Sequence, residues 1–129
     1  MTDAEKMLRR VRLELARDHE FPSGSRERGY DFIAPLDDKG QIDLAAWKEL
    51  RDRCRVRRFW AHEKEEVGHI VHKRGGAWAF HYDIHGDPSQ DEAGFRFERH
   101  AFVPGEYVSI KEQDGVLRTF RVMSVREID

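Results

Sequence analysis

His81, Asp83 and His85 occupy alternate positions in a run whose other members are Trp78, Phe80, Tyr82 and Ile84. Alternate residues of a strand share a face, so imidazole nitrogens and a carboxylate would lie side by side. Such a set is suited to a divalent metal. An earlier alternating run, Val67, His69 and Val71, is joined to this one through Gly75-Gly76. Two glycines between alternating runs spell a hairpin, since a type I′ turn needs positive φ at both central positions. A two-residue turn there places His72 diagonal to His81 on the same face. His72, His81, Asp83 and His85 are therefore the metal candidates. The plainer reading is the solvated face of a half-buried hairpin, because ligands from one strand do not by themselves close a tetrahedral site.

A second set is Arg51, Arg53, Arg55, Arg57 and Arg58, followed by Phe59 and Trp60. Guanidiniums interleaved with aromatics can follow a phosphate backbone and stack on bases, so these arginines with Trp60 are the nucleic-acid candidates. Against this, Glu49 and Asp52 sit among them. Arginine is also abundant throughout, at 17 against 6 lysines. Cys54 lies between Arg53 and Arg55, which could depress a thiol pKa. Its place among alternating apolar residues reads instead as a small core residue. No Ser or Cys stands in a nucleophile-elbow context, and no catalytic residue is assigned. The Gly86–Gly94 loop is acidic but lacks the spaced oxygen ligands of a calcium loop.

What must position these residues is one domain of 129 residues with 39% apolar and 37% charged side chains. That length can bury a core without disulfides. The lone cysteine and the absence of a leader-like start favour a reducing, cytoplasmic setting. No apolar run approaches the ~20 residues of a spanning helix. The net charge is −2, with 14 basic and 12 acidic groups in residues 1–60 against 9 and 13 in the remainder. That balance does not itself announce a polyanion partner.

The start has capping-box spacing, Thr2 and Glu5, followed by Ala4, Met7, Leu8, Val11 and Leu15 at helical intervals. This predicts a helix over residues 3–18, ended by Pro22 and Ser23-Gly24-Ser25, with the α+β body over 28–129. A strand is expected near Tyr30–Leu36. A second helix is expected from the N-cap Asp43 to Arg53, with Ile42 and Trp47 at staple spacing. Further strands are expected at Tyr107–Glu112 and Val116–Val125, joined by the loop Gln113-Asp114-Gly115. The apolar phase of the last strand switches from Phe120/Val122 to Met123/Val125, the mark of a bulge in a bent strand. The fold class is α+β. An N-terminal helix and a second short helix pack on a curved, mostly antiparallel sheet or small barrel of five to seven strands.

Phe102-Val103-Pro104-Gly105-Glu106-Tyr107-Val108-Ser109-Ile110 resembles the PGQY-type strand of ferredoxin-reductase-like flavin domains. There a later Arg-x-Tyr-Ser element contacts the flavin. Arg118-Thr119-Phe120-Arg121 stands in that place with Phe and Arg substituted, and the similarity implies a shared way of building a bent barrel strand. The same stretch, with Arg28-Gly29-Tyr30-Asp31-Phe32 and Gly76–Asp83, is also similar to a small bacterial protein family with no activity attached. That resemblance implies a bacterial, intracellular protein and carries over no site residue.

With no acid–base or nucleophile constellation, the expectation is a non-enzymatic binding or regulatory domain for a protein or small ligand, with no cofactor. The alternatives are nucleic-acid binding through residues 51–60 and divalent metal binding on the His81 strand. The long strand from Val116, read as a sheet edge, further suggests a homodimer.

Overall fold

The computed structural model describes residues 1–83, 92–94, 101–112 and 114–128, with the backbone alone given for 92–94. The N-terminal capping box forms as the sequence specifies. The Glu5 N–H donates to Thr2 Oγ1 and the Thr2 N–H to Glu5 Oε1, both at 3.1 Å. The helix it starts, α1 (Asp3–Lys6), is one turn long, and the expected helix over 3–18 is not formed. Residues Leu8–Leu15 are instead strand β1. Val11 and Leu15 fit both a helical stripe and a period of two, and Leu13 decides between them. It lies off the stripe, yet Val11, Leu13 and Leu15 are all buried while Arg10, Arg12 and Glu14 alternate outward. Tertiary pairing on both sides overrides the local helical signal.

The other strands are β2 (Ser25–Pro35), β3 (Arg55–Trp60), β4 (Glu66–His72), β5 (Trp78–Tyr82), β6 (Glu92–Gly94), β7 (Tyr107–Lys111) and β8 (Leu117–Glu127). The fold is α+β with a curved antiparallel sheet: each strand pairs with the next, and β8 returns to β1 to close an eight-stranded barrel. Closure removes the expected edge at β8, which pairs with β7 and β1. β6 lies inside the stretch expected to be loop; the rest of that loop, and Ile84 and His85, fall outside the described residues.

The bulge expected in the last strand is present. Leu13 pairs with Val122 and Arg12 with Ser124, so Met123 is the extra residue and stays exposed. It adds the local bend that a closing strand needs. Between β7 and β8, the Glu112 N–H donates to Val116 O at 3.0 Å and Gly115 has φ +81°, so Val108 meets Phe120 inside the barrel.

The Gly75-Gly76 hairpin forms, with φ +86° at both glycines, but its register differs from expectation. Lys73 N–H donates to Ala77 O at 2.7 Å, so the loop is Arg74-Gly75-Gly76 and His72 pairs with Trp78. One residue of slip exchanges the faces of β4. Gly68 and Ile70 point inward, and Val67 is 45% exposed. The close approach of Gly68 to β5 holds this register: a Cβ there would lie 2.0 Å from His81 O.

α2 (Leu44–Glu49) is capped by Asp43, whose carboxylate accepts the Ala46 N–H at 2.9 Å, and it continues into a 3-10 turn at Arg51–Arg53. It plugs one end of the barrel. Trp47 Nε1 donates to Ile70 O at 3.0 Å, and its ring meets Trp78 edge-on at 5.2 Å. Cys54 is buried there, and desolvation, opposed only weakly by Arg53, pushes its thiol up to about 12. No helix among the described residues is long and apolar enough to cross a membrane.

Candidate functional site

The strand geometry scatters the arginines that are neighbours in sequence. Arg51 lies over the Trp47 ring at 4.8 Å, and Arg53 pairs with Glu5 at 3.1 Å. Arg55 donates to Asp83 at 3.0 Å and meets His69 Nε2 at 2.9 Å. Arg57 binds Asp31, and Glu65 at 2.8 Å; the Asp31 hydrogen bond raises its pKa against desolvation. Arg58 points the other way, into the barrel. Arg53, Arg55, Arg57 and Arg58 are each held by a carboxylate, and Arg51, which has no ion pair among the described residues, lies on the Trp47 ring.

The metal candidates separate for the same reason. The register slip turns His72 inward, against Trp78 at 4.6 Å and Trp47 at 6.1 Å, while His81 stays on the outer face opposite His69. Asp83 is engaged by Arg55 and lies 3.4 Å from His69 Nδ1. The expected diagonal of His72 and His81 is therefore not formed. Among the described residues no group of three or more His, Cys, Asp or Glu is placed to hold a metal ion.

At the barrel end opposite α2, charge is buried. Glu112, with its side chain 2% exposed, accepts from Tyr30 Oη at 2.6 Å, Arg118 at 2.7 Å and Arg58 at 3.1 Å. The three guanidiniums of Arg28, Arg58 and Arg118 lie 5.8, 4.4 and 5.5 Å from the Trp60 ring. Phe21 covers Arg28 at 4.3 Å and meets Trp60 edge-on at 6.4 Å. Desolvation lowers the pKa of Arg118, but Asp114 and Glu112 outweigh it and the net shift is upward. Desolvation likewise pushes Asp114 up, and the Val116 N–H and Arg118 reverse it to hold the carboxyl below its ordinary value. The arrangement fixes a polar layer at the barrel mouth: every oxygen of Glu112 is held.

The arginines without any partner are elsewhere. Arg10, Arg17, Arg26, Arg74, Arg121 and Arg126 have no ion pair, side-chain hydrogen bond or ring contact among the described residues. All but Arg74 lie on the outer side of the β1–β8 seam or at its end. A groove of about 740 Å³ opens there, between the Ala16–Ser25 loop and the outward residues of β7 and β8. Arg17, Arg26 and Arg121 line it with Tyr107, Ser23 and Thr119.

Local bonds build its walls. The Ala16 N–H donates to Thr119 O at 2.9 Å, extending the β1–β8 ladder. Asp18 Oδ1 accepts the Phe21 N–H at 2.7 Å and Phe21 O accepts the Gly24 N–H at 2.9 Å, turning the chain back into β2. Phe21, seated on Trp60, anchors that loop, so the mouth network supports one wall of the groove. On the other wall Tyr107 pairs in register with Arg121 and is 56% exposed. Glu14, the one carboxylate lining the groove, is taken up by Arg12 at 2.9 Å. The groove thus offers hydrogen-bond donors, positive charge and one exposed aromatic ring.

Sequence reasoning missed this set because its members come from four segments that meet only through the β1–β2, β1–β8 and β7–β8 pairings. Tyr107, in the segment Pro104-Gly105-Glu106-Tyr107, was the one residue that local sequence could have drawn attention to. No family model, curated protein or solved structure matches the chain.

Proposed function

We propose that the protein is a non-enzymatic binding domain whose exterior groove takes a phosphate-bearing polyanion. The observation that carries this reading is the convergence of Arg17, Arg26 and Arg121, all unpaired, on one groove. Arginine is always charged and presents a planar fork of donors suited to phosphate oxygens. A net charge of −2 does not oppose this. Screening confines surface fields to about 8–10 Å at physiological salt, so the local patch governs the encounter.

The seam supports the same reading. Arg10 and Arg126 face each other directly across β1 and β8. Like charges in that position are unfavourable in the free protein, and an anion laid between them would relieve the repulsion.

Retention on heparin in a salt gradient tests the proposal. The triple variant Arg17→Gln/Arg26→Gln/Arg121→Gln is expected to elute well before wild type. Arg55→Gln/Arg57→Gln is expected to elute close to wild type, because those guanidiniums are already paired. Co-elution of the triple variant with wild type would remove the groove as the site.

A further inference from the structure

We infer that the groove's ligand is a single-stranded nucleic acid, threaded along the β1–β8 seam with a base stacked on Tyr107. The inference rests on the anion-binding reading and adds what that reading leaves open, the class of polyanion.

Phosphate recognition alone would be served by guanidiniums and hydroxyls. The groove holds more than that. Tyr107 stands outward on the strand next to Arg121, more than half exposed, with no ring partner among the described residues. Met123, 42% exposed, lies beyond Arg121 on the same outward face. An exposed ring beside unpaired arginines is the pairing that single-strand binders use, the ring taking a base and the cations taking the backbone. A duplex keeps its bases stacked inside and offers Tyr107 nothing to stack on. A phosphorylated protein offers no succession of flat aromatic faces either.

The positive track also has the length for a strand. From Arg10 to Arg17 β1 and its extension span about 23 Å at ~3.3 Å per residue. Arg10 and Arg126 mark one end, and Arg17, Arg26 and Arg121 the other. Such a track accommodates roughly four nucleotides, the lower end of what one small barrel binds. The hydroxyls of Ser23, Ser25 and Thr119 add neutral donors between the cations. The Ser109 and Thr119 hydroxyls, 3.3 Å apart, join β7 to β8 next to the Tyr107–Arg121 pair.

Fluorescence anisotropy with labelled oligo(dT) and oligo(rU) 12-mers, a 12-base-pair duplex and heparin as competitor tests this on the full chain. At low salt the single strands are expected to bind at least tenfold more tightly than the duplex. Binding by either sugar supports the assignment, and the tighter one names the natural strand. Tyr107→Ala is expected to weaken single-strand binding about tenfold, while Tyr107→Phe restores it. Each arginine removed from the groove is expected to lower the salt slope for the single strand by about 0.7. Equal affinity for duplex and single strand, or full single-strand affinity in Tyr107→Ala, overturns the inference while heparin retention keeps the anion reading alive. Loss of heparin retention in wild type would bring both down. Tyr107 is outside the core, and circular dichroism of each variant separates lost binding from lost fold.

Discussion

Arg118 and Arg121 are three positions apart on one strand and have opposite fates. Arg118 points into the barrel, where Glu112, Asp114 and Glu20 engage its terminal nitrogens. Arg121 points out, into the groove, and has no partner among the described residues. The period of two assigns one to the fold and the other to the surface. A buried guanidinium without a carboxylate would be costly, so Arg58 and Arg118 arrive with Glu112. The partly exposed Arg28 lies against Phe21 and Trp60 and donates to Ser25 Oγ at 3.0 Å. An outward guanidinium is solvated and needs none. Unpaired outward arginines that converge are therefore informative about ligands, whereas a dense arginine run in the sequence is not.

The most damaging way to test this contrast is Glu112→Ala. It leaves Arg58 and Arg118 buried around a missing anion, for which about 3–5 kcal/mol of destabilisation is expected. Urea unfolding reads the loss. Arg121→Gln should leave the urea midpoint within about 0.5 kcal/mol of wild type, as surface substitutions do. Similar losses for the two variants would erase the distinction between faces.

Gly68→Ala probes the frame that sets the faces. Its Cβ would meet His81 O at 2.0 Å and Tyr82 Cα at 2.7 Å, both backbone atoms that cannot step aside. Strain of about 1–3 kcal/mol is expected, as for overpacked cores, with β4 and β5 parting first. Hydrogen exchange at the Gly68–Tyr82 pairing would show it. Protection unchanged from wild type would mean that something other than this close approach sets the register.

The same register marks the limit of what the sequence discloses. Gly75-Gly76 announces a hairpin, but a two- or three-residue loop is compatible with it, and the choice exchanges the faces of β4. Val67, His69 and Val71 carry a clear alternation that the structure places outward, because Ile70 and Gly68 fit the interior against Phe80 and Tyr82. The bulge at Met123 was legible because a change of phase is a local signal. β1 was not, since its apolar residues satisfy a helical stripe until Leu13 is weighed. The groove was illegible for a different reason: Arg17, Arg26, Tyr107 and Arg121 share no local pattern, and the closure of β8 on β1 brings the Arg17/Arg26 side against the Tyr107/Arg121 side.

A smaller effect concerns Asp114, beside the mouth network. Its carboxyl is held below the ordinary 3.8 by the Val116 N–H and Arg118, which together outweigh desolvation. A depressed folded pKa contributes stability that is present above 3.8 and lost as pH falls through the folded value. The side chain is 54% exposed, so solvent screening reduces the contribution to a few tenths of a kcal/mol. The stability difference between wild type and Asp114→Asn should persist from pH 7 to 5 and shrink as the pH falls below 3.8. A difference that grew on acidification would reverse the assigned sign.

The smallest effect has the most telling sign. Arg126 faces Arg10 across the seam, exposed and without a compensating carboxylate among the described residues. If that opposition is kept for a ligand, removing it should help the free protein. Arg126→Gln is expected to raise stability by about 0.2–0.5 kcal/mol at low salt, the usual size of a cross-strand pair. The gain should fade above ~0.5 M salt, where the Debye length drops to a few ångströms. The same variant should bind oligo(dT) more weakly, so stability and affinity move in opposite directions. Thermal melts with and without the oligonucleotide measure both in one experiment. A variant that is less stable without ligand would show that Arg126 serves the fold, as Arg118 does, and would shorten the binding track to the groove itself.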